Sequence, residues 1–197
     1  MIVVNNDYIE IIDKFTKILE SLEGFIDITS EDRKVSLEDV FFDDLLCFLL
    51  YLSCCDGYLS FEEAEFLEKY TGFYMTPQQM HQRVVKDDLF SEVFEEKIPE
   101  SLKMFVDLQN GLTGMGKGAD NALIDTYMTI FKHLGRAITD VDGDMQPEEA
   151  YGLTHYMHKI EAYIAENLDD YEKKNCVEYK NKNGISGGII APEKKLR

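Results

Sequence analysis

A chain of 197 residues, 45% of them hydrophobic, is long enough to form one domain around a sizeable core. It carries 38 acidic against 20 basic residues, which gives a formal net charge of −18. Such a surface repels nucleic-acid phosphates and anionic lipids, so we expect no nucleic-acid binding, and it favours cations or basic proteins as partners. The simplest alternative is that the charge only keeps the protein soluble.

The apolar residues recur at helical spacing along most of the chain, which predicts an all-α fold. The segment 36–53 is apolar nearly all round over its second half, so it is expected to be the central buried helix. An alternating run occurs only at 185–190, where glycines weaken it as a strand. The predicted helices are 7–23, 36–53, 61–70, one that begins at Pro77 and carries Met80, Val84 and Val85, a short one at 90–96, 101–109, 121–139 and 147–168. Ser36 and Thr76 are predicted to cap the helices that follow them, and Gly72 to stop the 61–70 helix.

One stretch of the sequence occurs twice. Asp56 to Ala64 returns as Asp142 to Ala150, with Asp-Gly, an apolar residue two places later and Glu-Glu-Ala in common. Each copy follows an apolar segment and begins an amphipathic one, which predicts a helix, a tight turn and a second helix. Ser60 fits a helix N-cap that Glu63 completes as a capping box, and Pro147 fits a first helical position. This structural explanation needs no ligand.

The two turns resemble those of the TerB-like family of tellurite-resistance-type domains. The resemblance covers residues 36 to about 168 and implies an all-helical bundle with two repeated helix–turn–helix units and an acidic, cation-binding face. We therefore divide the chain into an N-terminal helix and connection (1–35), the helical domain (36–168) and a basic, flexible tail (169–197) that is either mobile or ordered only by a partner. The resemblance rests on Asp56, Gly57, Leu59, Glu62 and Glu63, and on Asp142, Gly143, Met145, Glu148 and Glu149.

The second turn is the stronger candidate for a Ca²⁺ or Mg²⁺ site. Asp140, Asp142 and Asp144 alternate there, and alternate carboxylates in a turn can converge on one hard cation. As an EF-hand loop the stretch fails, because Met145 and Tyr151 occupy the sixth and twelfth positions, where glycine and glutamate are required. The alternative is that helix dipoles and water screen these charges. The candidate ligands are Asp140, Asp142, Asp144, Glu148 and Glu149, with Asp56, Glu62 and Glu63 in the first turn.

Two further patterns carry less weight. The run from Gly111 to Gly118 nearly matches a phosphate-binding P-loop, but Gly118 stands where a hydroxyl should bind magnesium and no strand precedes it, so we interpret it as a loop between helices. His155 and His158 share a helix face that points away from the apolar side chains. We interpret them as surface residues, with a weak metal site alongside Glu161 as the alternative.

The cysteines, Cys47, Cys54, Cys55 and Cys176, include no Cys-x-x-Cys pair, which indicates reduced, buried thiols in the cytoplasm. No signal peptide is evident, and the longest apolar run is too short to span a bilayer. We expect a non-enzymatic cytoplasmic module for stress or metal response that acts through its acidic surface. The alternative is an acidic interaction protein, of immunity or inhibitor type, that binds a basic protein. A hydrolase with carboxylate metal ligands ranks third.

Overall fold

The computed structural model describes residues 6–23, 36–57, 59–114, 121–141, 143 and 145–168. Over this part of the chain the fold is all-α, as predicted, with eight helices and no strand. The helices are α1 (Asn6–Glu23), α2 (Leu37–Ser53), α3 (Phe61–Thr71), α4 (Pro77–Lys86), α5 (Glu92–Glu96), α6 (Glu100–Gly114), α7 (Ala122–Ile138) and α8 (Pro147–Asn167).

Helix α2 is the centre of the bundle, which confirms the prediction from its apolar sequence. It packs against α1, α3, α4, α6, α7 and α8. From Phe48 to Ser53 every side chain is buried, so this half of the helix has no solvent-facing side. Its aromatic rings join neighbouring helices, since Phe48 stacks on Phe131 of α7 and lies against Tyr156 of α8, with centroids 5.1 and 4.5 Å away.

Helix α1 belongs to the same core as the rest of the bundle. Phe15 is fully buried, and its ring meets those of Phe41 in α2 and Phe105 in α6 edge to face, at 5.0 and 5.6 Å between centroids. Leu19, one turn further along α1, is also fully buried. The packing therefore joins the N-terminal helix to the 36–168 segment in one hydrophobic core.

The sequence predicts the helix starts well. Ser36 Oγ accepts from the Asp39 N–H at 2.9 Å, and Ser60 and Thr76 form capping boxes at the starts of α3 and α4. Gly72 ends α3 in the left-handed conformation, with φ +74°. These contacts confirm the predicted caps, because each satisfies backbone groups that the first or last turn of a helix leaves without a partner.

Helix α6 is longer than predicted and takes in the start of the presumed glycine-rich loop. Gly111 and Gly114 are helical, and the remainder of that loop, 115–118, lies outside the described residues. The C-terminal part of α6 is fixed by tertiary contact: Gln109 is buried, and the side chain of Asn110 donates to the carbonyl of Asn167 on α8 at 2.8 Å. Tertiary packing here overrides the low helix propensity of glycine. The 185–190 run and the 169–197 tail also lie outside the described residues.

Candidate functional site

The two Asp-Gly turns bring two buried glutamates into one corner of the bundle. Glu63 and Glu149 are only 5% and 6% exposed. Each accepts the backbone N–H of its own helix cap, from Ser60 at 2.7 Å and from Gln146 at 2.9 Å. Burial, together with the charges of Glu149 and Asp56, raises the pKa of Glu63 to about 7, against the opposing Ser60 hydrogen bonds. This double-turn corner therefore gathers carboxyl groups from both turns, and one of them titrates near neutral pH.

The acids that the sequence singles out separate into two groups. Glu63 and Glu149 are buried helix caps, whereas Glu62, Glu148 and Asp140 are exposed. Among the described residues no three His, Cys, Asp or Glu side chains lie close enough together to hold a metal ion. The other predicted ligands, Asp142 and Asp144, lie outside the described part of the chain, so the predicted cation site stays a prediction.

Two thiols border the corner, and burial makes both unreactive. The pKa of each thiol is raised to about 12, mainly by burial. The charges of nearby carboxylates contribute, among them Glu63 for Cys54 and Glu149 for Cys55. Cys55 also donates to the carbonyl of Tyr51 at 3.3 Å. Because the thiolate is the nucleophile, these cysteines are poor catalytic candidates. The described cysteines are free thiols, as predicted.

An open groove of about 660 Å³ lies beside these thiols, between the end of α2 and helix α4. We call it the α2–α4 groove. Asp56 supplies an acid at its border, His81 adds an imidazole, and the remaining surface is mostly apolar. Its lining includes Cys54, Cys55, Asp56, Leu59, Pro77, His81, Val84, Val85 and Phe90.

One wall of this groove is apolar and exposed, a feature that was not predicted from the sequence. Val85 is 66% exposed and Phe90 47% exposed, whereas Val84 is buried. Val85, which the sequence groups with Met80 and Val84 as an apolar residue of α4, therefore does not belong to the core. Adjacent residues on a helix point about 100° apart. The buried face of α4 is narrow, since Met80 and Val84 form it, so Val85 points away from the core. An apolar residue directly after such a narrow face is therefore the sequence signal for an exposed apolar side chain.

The remaining sequence motifs are not part of the corner. His155 and His158 are exposed, as predicted, and His155 stacks on the exposed ring of Tyr151 at 5.9 Å. None of the described helices has both the length and the apolar character needed to cross a membrane.

The chain matches no protein-family model, and no curated protein or solved structure matches it significantly. The resemblance to TerB-like domains thus stays a prediction that rests on the two turns.

Proposed function

We propose that this chain is a non-enzymatic interaction module that binds a basic, amphipathic segment of a partner protein in the α2–α4 groove. The observation that carries the proposal is the exposure of Val85 and Phe90 on one wall of an open groove that Asp56 borders. Exposed apolar surface in a rimmed depression is typical of protein-binding sites, because covering it releases water.

The charge of the chain selects the partner. Residues 1–172 carry 36 acidic against 13 basic residues, so this part of the chain attracts a basic segment and repels an acidic one. The apolar wall supplies affinity, and the surrounding charge supplies selectivity and association rate. The high pKa values of the thiols at the groove support a binding role over nucleophilic catalysis. Free thiols also fit the cytoplasmic setting that we propose for the chain.

The test uses two designed helical peptides with the same leucine face, one with lysine and one with glutamate on the opposite face. Titrated into the isotopically labelled protein, the lysine peptide is expected to shift amide signals of α4 and of the Cys54–Gly57 turn, more weakly at high salt. The glutamate peptide is expected to leave them unchanged. Equal binding of both peptides would refute the role of charge.

The groove itself is tested by a pair of substitutions. Val85→Ser with Phe90→Ser removes the apolar wall and is expected to abolish lysine-peptide binding, while circular dichroism confirms the fold. The matched control is Tyr74→Ser with Tyr151→Ser, which removes two side chains that are each 70% exposed and lie outside the groove. If the control loses binding as fully as the groove variant, the peptide binds the surface without a site.

A second candidate function, the stress or metal-response module that the TerB-like resemblance implies, is favoured by the double-turn corner. Glu63 has its pKa raised by Glu149 and Asp56 as well as by burial, and a bound Ca²⁺ or Mg²⁺ would relieve that repulsion. Binding to the native state would raise the melting temperature at fixed ionic strength.

The prediction that the second turn supplies the ligands is tested by Asp142→Asn with Asp144→Asn, which should abolish the metal-dependent rise. Asp107→Asn with Glu161→Gln removes two exposed acids elsewhere and should leave the rise intact. An unchanged melting temperature in the wild type on adding either metal would rule this function out.

A further inference from the structure

A second, smaller pocket lies between α2, α4, α8 and the connection from α5 to α6, and it shares no lining residue with the α2–α4 groove. Its volume is about 230 Å³. Ligand pockets for drug-sized molecules occupy about 300–1,000 Å³, so this one suits a smaller molecule. We call it the Asp44 pocket, after the carboxylate that α2 places in it; Arg83, Asp87, Lys97 and Tyr156 also line it.

Part of the charge in the Asp44 pocket is already neutralised within the protein. Arg83 lies between two acids: its Nη2 is 3.2 Å from Asp43 Oδ1, and its Nε donates to Asp87 Oδ2. This leaves the carboxylate of Asp44 and the ammonium of Lys97 as the ionised groups that line the pocket without an ion pair to any described residue. A ligand therefore meets one negative group, the Asp44 carboxylate that Ser101 holds in place, and one positive group, the exposed ammonium of Lys97.

Asp44 is held in place and retains acceptor capacity. Its Oδ2 accepts the backbone N–H of Ser101, near the start of α6, at 2.7 Å. Burial raises the pKa of Asp44, while the Ser101 hydrogen bonds and the charge of Lys97 lower it. A carboxylate accepts at two oxygens, so Oδ1 can receive a donor from a ligand.

Tyr156 adds a hydrogen-bond donor to the pocket. Its side chain is 4% exposed and lines the pocket, and its hydroxyl forms no hydrogen bond to any described residue. Burial, with the charges of Asp44 and Cys47, raises the pKa of Tyr156 well above its ordinary value, so the hydroxyl keeps its proton and can donate. The hydroxyl is open to solvent at the pocket, so the carboxylate of a ligand can reach it and accept its hydrogen bond.

We propose that the Asp44 pocket binds a small zwitterion of the free amino-acid class. Its ammonium group donates to Asp44, and its carboxylate accepts from Lys97 and from the Tyr156 hydroxyl. A simple amine would leave Lys97 without a counter-charge, and a simple carboxylate would leave Asp44 without one. A zwitterion satisfies both free charges at once and fits the volume. This site is independent of the function proposed for the groove.

The test screens the full chain against each standard amino acid, with ethylamine and propionate as probes of one charge each, by ligand-observed nuclear magnetic resonance. At least one amino acid is expected to bind, and neither single-charge probe should compete with it. Binding of ethylamine alone would mean a cation site, binding of propionate alone an anion site, and binding of nothing no site; each of these results would overturn the proposal.

Variants then locate the binding. Asp44→Asn keeps an acceptor for Ser101 but removes the charge, and it should weaken the amino acid about tenfold or more, as loss of a charge-assisted hydrogen bond implies. Tyr156→Phe removes only the hydroxyl and should weaken binding about fivefold with the fold intact. The matched control is Asp39→Asn, an exposed acid on the same helix, which should bind normally. Unchanged affinity in both pocket variants, with native circular dichroism, would refute the assignment.

Discussion

The two Asp-Gly turns have several described backbone features in common and differ in their surroundings. Gly57 and Gly143 both have positive φ, +79° and +88°. The N–H of Gly57 donates to the carbonyl of Cys54, and the N–H of Gly143 donates to the carbonyl of Asp140. Three residues after each N-cap, a glutamate, Glu63 or Glu149, accepts the backbone N–H of the cap residue. The local chemistry of the turn is therefore repeated, although superposition of the two helix pairs stays a prediction.

Packing, in contrast, is not repeated. Eighty-six positions separate equivalent residues, so Leu49 and Phe66 of the first unit correspond to Gly135 and Gly152 of the second. Phe66 is buried, whereas the two glycines allow close approach: a Cβ on Gly135 would lie 2.7 Å from Phe48 Cζ, and one on Gly152 would lie 2.7 Å from the Cys55 thiol. A short repeat in the sequence thus fixes the local turn, while the packing of each copy depends on its own neighbours.

The largest effect is expected where the first unit fills space. Phe66→Ala leaves a cavity under α3 and should lower the free energy of unfolding by about 3–5 kcal/mol. Phe61→Ala, on the same helix but 75% exposed, should change it by less than about 0.5 kcal/mol. Urea denaturation measures both, and equal losses would mean that Phe66 does not carry the packing of α3.

The double-turn corner predicts an unusual dependence of stability on pH. The pKa of Glu63 is about 7 when folded against 4.5 as a free side chain, so between these values only the folded chain binds the proton. Its stabilising contribution is complete below about pH 4.5 and is lost as pH rises through about 7, by at most about 3 kcal/mol.

The urea midpoint of Glu63→Gln should therefore change less between pH 4.5 and 8 than that of the wild type. At pH 8 the variant should be more stable than the wild type. The glutamine can still accept the cap N–H, as Gln79 does from Thr76 at 2.9 Å in α4. Glu62→Gln, on the exposed neighbour, is the control and should follow the wild-type curve. Parallel curves for wild type and Glu63→Gln would show that Glu63 titrates normally.

The glycines of the second unit sharpen the packing contrast. Gly135→Ala places a methyl group against the buried ring of Phe48 and should destabilise the protein by about 1–2 kcal/mol, in spite of the better helix propensity of alanine. Gly111→Ala is the matched control in α6, where nothing lies within 4 Å of the added carbon, and it should stabilise by up to about 1 kcal/mol. Melting temperatures that rise in both variants would mean that α2 and α7 can move apart at no cost.

The smallest effect concerns the caps. Ser60→Ala removes an acceptor for the Glu63 N–H, at 3.1 Å, and should cost about 1 kcal/mol. Gln146→Ala should cost less, about 0.5 kcal/mol or below, because glutamine is not among the preferred N-cap residues. An equal loss for both, from urea midpoints, would mean that the two caps are energetically the same despite their different residues.

The starts and ends of several helices could be predicted from the sequence alone. The caps at Ser36, Ser60 and Thr76, the Pro147 helix start and the helix stop at Gly72 were all predicted, because each depends on contacts among residues within about four positions. The buried character of α2 also followed from its own composition.

The contacts between side chains of helices that are distant in sequence could be seen only in the tertiary structure. The approach of Glu149 to Glu63, the exposure of Val85 and the pocket around Asp44 depend on how helices distant in sequence pack. From the sequence, the two acidic turns were separate candidate sites, and the number of possible ligands decided between them. The fold instead buries one glutamate from each turn in a single corner. Helical periodicity tells which side of a helix is apolar, but the choice of helix that covers it is made by shape and volume across the whole core.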